Sequence, residues 1–322
     1  MKHAKLNPNF AGSGLGFDEQ SGRLNVALNK SDRNSTATPL ITIFAIPKPF
    51  DTSTDQIQRN AINSWSRLGP NVDVLLIGDE TGIAETAAEL QVGHVGGLEI
   101  NQHGTPLVSS AFEIAHRETR SPFLVYCNCD VILMPDFIDA IKLLALDQSH
   151  PRLVAFGRRT DLKVETEIDF DQPQQIQQLL RDCDRNGVAA SNACKEYFIF
   201  NRQLYSNVPD FAVGRGNWDN WIIHFAKQQN IPAISLSDTV RVIHQEHNYA
   251  HTGSSRFQCY VSGEEARENL RLAGGRHLIS GSTPSWRLTP TGLVRENGFL
   301  LSQNFWSDIP RFARLMLNLL WR

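Results

Sequence analysis

The chain has 322 residues, 41% hydrophobic and 20% charged, an ordinary globular composition with enough apolar material for one large core or two smaller ones, so disorder is not its dominant state. A net charge of −3 and a sequence pI near 6.4 give no general attraction for polyanions, which sets nucleic-acid binding aside in favour of small-molecule chemistry. The five cysteines, Cys127, Cys129, Cys183, Cys194 and Cys259, are odd in number and scattered, as expected of free thiols in a reducing compartment.

Met1 to Asn9 is polar and lacks an apolar h-region, and no uncharged apolar run reaches bilayer length, so a cytoplasmic protein is expected. Residues 1 to about 38 are rich in Asn, Ser, Gly, Lys and Asp without sustained periodicity and read as a flexible leader. Leu40 to Ile46 is an apolar, β-branched run typical of a strand buried on both faces, and Pro47 and Pro49 stop it. Ser53 and Gln56 form a capping signal ahead of Ile57, Ala61, Ile62, Trp65 and Leu68 at helical spacing. Val72 to Ile77 is a second strand, Gly82 to Leu90 a short helix and Gln91 to Val95 a third strand. The βαβαβ order predicts a parallel sheet and an α/β fold.

A helix through Ala111, Ile114 and Ala115 precedes the strand Phe123 to Cys127. Further strands are expected at Leu153 to Gly157, Tyr197 to Phe200, Ile231 to Leu236 and Val240 to Ile243, with helices near 136–146, 173–186 and 218–229. The domain so described covers 39–250. Residues 251–322 read as a C-terminal extension ending in an amphipathic helix, Phe305 to Arg322. Its Phe312, Leu315, Met316, Leu319 and Leu320 share one face, and Arg311, Arg314 and Arg322 suit either a membrane surface or packing on the domain. The Gly-rich stretches at 12–16 and 274–275 join no strand to a helix and read as turns, not phosphate loops.

Three segments carry chemistry. Asn128-Cys129-Asp130 follows a buried strand, where ligands of open α/β sheets bind; the two-residue spacing turns Asn128 and Asp130 one way and Cys127 and Cys129 the other. Taken singly, Asp130 equally suits a turn cap. Gly214 to Trp221 runs from a glycine hinge into Asp219, between Trp218 and Trp221 at a helix start. That carboxylate suits a general base or a first-turn acid favoured by the helix dipole. His244, His247 and His251 lie within eight residues after a strand, a spacing suited to metal binding.

The order of Ile46 to Phe50, Gly78-Asp79-Glu80, Gly104-Thr105-Pro106, Asn128 to Asp130, Glu196-Tyr197-Phe198, Gly214 to Trp221 and Ile243 to Tyr249 resembles the GT-A glycosyltransferases, specifically a family-2-like group of bacterial and plant proteins. The likeness spans about 40 to 250. It implies a GT-A fold, a nucleotide-sugar donor, a carbohydrate or other hydroxyl acceptor, and Mn2+ or Mg2+. Pro47, Lys48, Asp79 and Glu80 would line the base and ribose pocket. Asn128-Cys129-Asp130 would replace the D-x-D motif, with Asp130 on the metal, Asn128 near the ribose, and His244 or His247 as the later metal ligand. Asp219 would be the base of an inverting reaction, and Glu196, Tyr197, Trp218 and Trp221 would contact the acceptor. In the D-x-D position Asn replaces the first carboxylate, which predicts weaker metal binding. Two other readings fit the same residues: a metal-dependent hydrolase built on Asp130, His244, His247 and His251, and a GT-A-like module that binds a nucleotide or glycan without turnover.

Overall fold

A computed structural model describes residues 15–18, 23–26, 38–51, 54–191, 194–247, 261–275 and 283–296. Within the leader, β1 (Leu15–Asp18) and β2 (Arg23–Val26) pair as an antiparallel hairpin, regular structure that the polar composition did not suggest. The domain proper starts with β3 (Ile41–Ala45), α1 (Asp55–Ser66), β4 (Val72–Ile77), α2 (Ile83–Leu90), β5 (Gly93–Val95), α3 (Val108–Glu118) and β6 (Phe123–Cys127). These strands are parallel neighbours, as the βαβαβ order required. Next come β7 (Val131–Leu133), α4 (Pro135–Leu146), β8 (Val154–Phe156), β9 (Thr160–Leu162), α5 (Pro173–Asn186), β10 (Val188–Ala189), β11 (Tyr197–Asn201), α6 (Trp218–Gln228), β12 (Ala233–Ser235) and β13 (Val242–Gln245). The last described elements are α7 (Glu264–Leu272), β14 (Trp286–Thr289) and β15 (Gly292–Arg295).

A nine-stranded sheet has the order β15-β14-β12-β8-β11-β6-β3-β4-β5. It is mostly parallel, with β11 antiparallel to both its neighbours and β15 antiparallel at one edge. Alternate side chains of each strand feed opposite cores. Ile41, Ile43 and Ala45 pack with Trp65, Phe137 and Ile141 on one side. Phe44 packs with Phe112, Phe200 and Tyr126 on the other, where Phe112 stacks on Phe200 at 5.2 Å. Burial on both faces is why these strands read as continuous apolar runs.

Beyond 250, β14 pairs in parallel with β12 and β15 pairs with β14, so these two strands extend the edge of the nine-stranded sheet. The segment Phe305 to Arg322 lies outside the described residues, as do His251, Cys259 and Ser53. Thr54 is the N-cap of α1, and its backbone N–H and hydroxyl meet Asp51. Among the described residues no helix is long and apolar enough to cross a membrane.

A second sheet, β10-β9-β13-β7, carries the site. Its strands are short, and α1 holds it through polar groups that the helical pattern did not single out. Trp65 Nε1 donates to the Val131 carbonyl at 2.8 Å, and Ser64 Oγ accepts from Leu133 N at 3.0 Å. Asn60, fully buried, donates to Gln245 Oε1 and to the Thr166 carbonyl, both at 3.0 Å, and accepts from Ile168 N at 2.9 Å. Gln245 in turn donates to the Ile57 carbonyl at 2.8 Å. Buried amides satisfied in this way fix one register, because any slip strands several polar groups away from water.

Replacing Asn60 with Ala should therefore cost about 3 kcal/mol, since it leaves Gln245 Oε1, Ile168 N and the Thr166 carbonyl without their partner. Chemical denaturation of the two proteins measures this. A loss below about 0.5 kcal/mol, the range of ordinary surface changes, would show that the amide pair does not fasten the second sheet.

Candidate metal centre and its surroundings

β6 ends at Cys127, and the chain turns through Asn128, Cys129 and Asp130 into β7. Asn128 N donates to the Glu196 carbonyl at 3.0 Å, and the Asp130 carbonyl accepts from Gln245 N at 2.9 Å, so the turn is bound to the start of β11 and the end of β13. Cys127 and Cys129 are buried in the core while Asn128 and Asp130 take part in the site, the alternation expected from the sequence. Burial drives both thiols upward in pKa, with the negative charge of Asp130 as a further cause, so both stay protonated.

His244 was expected just after its strand and instead lies within β13, Cα-paired with Val131 on one side and Asp161 on the other. That register carries its ring to Asp130. His244 Nε2 is 3.4 Å and His247 Nε2 3.1 Å from Asp130 Oδ2, and the candidate ligand atoms of the three residues all lie within 4.8 Å of one another. Ligands side by side around one ion at about 2.1 Å are about 3 Å apart, so the spacing fits Mn2+ or Mg2+. Asp130 Oδ1 is buried with no hydrogen-bond partner, a second lone-pair site that a cation would satisfy. One carboxylate and two imidazoles form a mixed oxygen and nitrogen set that suits Mn2+ well.

The electrostatics agree with this convergence. Burial by itself would raise Asp130, but the bonds and charges of His244 and His247 outweigh it and hold the carboxyl well below the usual range. Burial would lower His244, and contact with Asp130 reverses this and raises it. Lys48 is drawn downward, mainly by partial withdrawal from water, with the negative charge of Asp130 opposing; the two are electrostatic neighbours. Gln58 grips the Lys48 backbone, accepting from its N at 2.7 Å and donating to its carbonyl at 3.0 Å.

Behind the ligands stands a layer without a sequence signal. His244 Nδ1 is 2.9 Å from Asp161 Oδ1, which is also 2.7 Å from Arg159 Nε. The two atoms are close enough for an ion pair but are not aligned as a hydrogen bond, so Asp161 acts on the ring through its charge. Arg159 pairs as well with Glu196 Oε1, and Glu196 Oε2 accepts from Asn128 Nδ2 at 2.5 Å. Burial, and then Asp130, push the Glu196 carboxyl upward against the opposing effect of Arg159. Asp161 and Arg159 sit in a short β-strand and its approach, where a polar residue looks like any surface position.

Other expected residues fall differently. Asp79 and Glu80 follow β4; Asp79 Oδ2 accepts from Gly97 N at 2.8 Å, and a Cβ on Gly96 would come within 2.1 Å of Asp79 Oδ1, so a side chain there would displace the carboxylate. Pro47 is buried. Tyr197 is a correction: it is only 1% exposed and packs on Phe137, so it fills core and does not face an acceptor. Trp218 is another, its ring edge-on to Tyr126 at 5.0 Å inside the second core. Trp221 is half-buried, stacked on Phe225 at 4.9 Å and tilted against Phe211. Asp219 occupies the first turn of α6, partly exposed, after a loop whose Gly214 has φ +69°, a conformation that favours glycine. Two open depressions, about 400 Å3 beside Arg67 and Phe170 and about 590 Å3 beside Thr42 and Arg120, are not lined by any residue of the Asp130 cluster.

The coupled shifts predict a pH dependence. The depressed Asp130 contributes stability present above about pH 4 and lost as pH falls through its lowered value; the raised His244 contributes stability complete below about pH 6.5 and lost as pH rises through its raised value. Both contributions are in force between those limits. A metal ion needs the imidazoles neutral, so the rise in Tm on adding Mn2+ should be larger at pH 8 than at pH 6. Thermal melts with EDTA or Mn2+ at both pH values decide the point, and an equal rise at the two would count against binding through His244.

No protein-family profile matches the chain, and no curated protein matches it by sequence. Solved structures do show a likeness of fold. A mannosyltransferase from Pyrobaculum calidifontis in complex with GDP-Man and Mn2+ is 14% identical over 68% of this chain and 60% of its own, with a TM-score of 0.41. The chain thus spans about 60% of that mannosyltransferase. Glucosyl-3-phosphoglycerate synthase from Mycobacterium tuberculosis, in complex with Mn2+, UDP and phosphoglyceric acid, is 14% identical over 74% of this chain and 80% of its own, with a TM-score of 0.45. A mycobacterial protein is 13% identical over 86% of this chain and 90% of its own, at 0.46.

Proposed function

We propose that the chain is a nucleotide-sugar glycosyltransferase of GT-A type that uses a divalent cation. The observation that carries this reading is the convergence of Asp130, His244 and His247 where β6, the strand after the βαβαβ unit, ends. In open α/β sheets that end is where ligands bind. Mn2+ or Mg2+ at these ligands supplies positive charge to neutralise a leaving diphosphate. Lys48, beside Asp130, adds a second positive group on the donor side, and the turn at Asn128 faces the same site.

Asp219 is the proposed base. What supports this is that Trp218, the residue before it, packs against Tyr126, two residues ahead of Asn128 near the carboxyl end of β6. In the proposed step the Asp219 carboxylate takes the acceptor hydroxyl proton as that oxygen bonds to the anomeric carbon. The bond from the anomeric carbon to the diphosphate oxygen breaks on the opposite face, the nucleoside diphosphate departs with its electron pair, and the configuration inverts. A carboxylate can do this only within hydrogen-bond reach of the acceptor, and the glycine loop at 214–216 gives the backbone freedom to close on it.

The test is a thermal-shift screen of nucleotide sugars with and without Mn2+, followed by transfer assays on Asp130→Asn and Asp219→Asn. Asp130→Asn should abolish the Mn2+-dependent part of donor stabilisation and leave the metal-independent part. Asp219→Asn should retain donor binding and lose transfer by roughly a hundredfold or more. Absence of stabilisation by every nucleotide sugar, or zinc retained tightly through purification, would instead favour hydrolase chemistry at the same ligands.

A further inference from the structure

The proposed donor site raises a question about position 128, where an amide stands in place of a carboxylate. Asn128 Nδ2 meets Glu196 Oε2 at 2.5 Å, and the other Glu196 oxygen is taken by Arg159. A carboxylate only accepts hydrogen bonds, so the Asn128 atom facing it must be the NH2 group, and the side-chain carbonyl oxygen must point elsewhere. Arg159 is also divided: its Nε contacts Asp161, which backs His244. Arg159 and Glu196 are each only 12% exposed, so water does not offset a mismatch among them.

We propose that Glu196 is a positioning residue that fixes the Asn128 amide with its carbonyl oxygen toward the metal and donor site. Residues 128 and 196 then form one unit in which the carboxylate has moved from the turn to β11's approach. This inference rests on the donor-site reading above, and it gives the amide a definite role. Position 128 offers an oxygen to the site without a second negative charge beside Asp130, and Arg159 balances the charge that Glu196 brings.

The unit predicts that the two positions cannot be changed singly. Asn128→Asp sets a second carboxylate against Glu196 at hydrogen-bond distance, so one of the two must take up a proton or the pair must move apart. Glu196→Gln leaves an amide that must serve Arg159 with its oxygen and so turns its NH2 toward the NH2 of Asn128. Asn128 then has to flip, which presents donors to the cation. In the double variant the new amide at 196 gives its oxygen to Arg159 and its NH2 to the new carboxylate at 128. Bond and net charge are both restored, with the roles of the partners exchanged.

The experiment is a double-variant cycle on the full chain at pH 7.5, read by thermal melts in EDTA and by calorimetric titration with Mn2+. Each single variant should lower Tm by roughly 2–6 °C, and the double should return most of the loss. Each single should weaken Mn2+ binding by roughly tenfold, the usual scale for groups behind a metal ligand, with the double within about threefold of the starting protein. Additive losses in the double variant would overturn the proposal, as would an Asn128→Asp protein that is no less stable and binds Mn2+ more tightly. If the unaltered chain binds no Mn2+, the donor-site reading fails, and the melts in EDTA still decide whether 128 and 196 act as a unit.

Discussion

The Nε2 atoms of His244 and His247 lie 3.4 and 3.1 Å from Asp130 Oδ2, an arrangement that is unfavourable unless a proton or a cation lies between them. The rest of the site is arranged to maintain it. Gln245 ties the carbonyl of Asp130 to β13, Asn60 ties Gln245 to α1, and Trp65 and Ser64 tie α1 to β7. Each of these bonds is buried, so the four-stranded sheet cannot relax its register to separate the three groups without stranding backbone and amide atoms. The large sheet provides the rigid platform, and the small one sets the ligand geometry.

Much of this was legible in the sequence because burial writes a strong pattern. The runs at 40–46, 72–77 and 123–127 became strands, and 173–186 became α5 with the boundaries read from it, since Pro173 starts the helix at its first position. Asn128 and Asp130 on one side with Cys127 and Cys129 on the other followed from the two-residue alternation. The pairing of Asp130 with both histidines depended on order along the chain and on the family likeness, because no local pattern specifies a contact between residues 114 or more positions apart.

What stayed hidden is polar and non-local. Asn60 and Ser64 sit on the buried face of an otherwise apolar helix stripe, and only the fold reveals the second sheet that needs their hydrogen bonds. Asp161 and Arg159 lie near a strand of three residues, too short to carry a period. The aromatic residues were misleading for the opposite reason. Tyr197 and Trp218 stand beside carboxylates in sequence, and adjacency suggested a shared site. In a strand, however, neighbours point to opposite faces, so Tyr197 enters the core where Glu196 meets Asn128 and Arg159. Trp218 is the first residue of α6 and anchors that end of the helix in the core.

The charge pattern of the site explains why these hidden residues matter. Asp130, Asp161 and Glu196 bring three carboxylates into a small, poorly hydrated region, and Arg159 bridges two of them. Without a metal, His244 takes up a proton as pH falls through its raised value, and that proton serves Asp130 as counter-charge. A divalent ion and that proton therefore compete for the same lone pairs, so cation binding is coupled to proton release. Asp161 lies 2.9 Å behind Nδ1 of His244, and Arg159 pairs with both Asp161 and Glu196 and so offsets their charge. A site of this kind does not need a carboxylate at every position of a metal-binding turn. It needs the total negative charge and its distance from the cation to be set, and here the second sheet and the approach to β11 set them together.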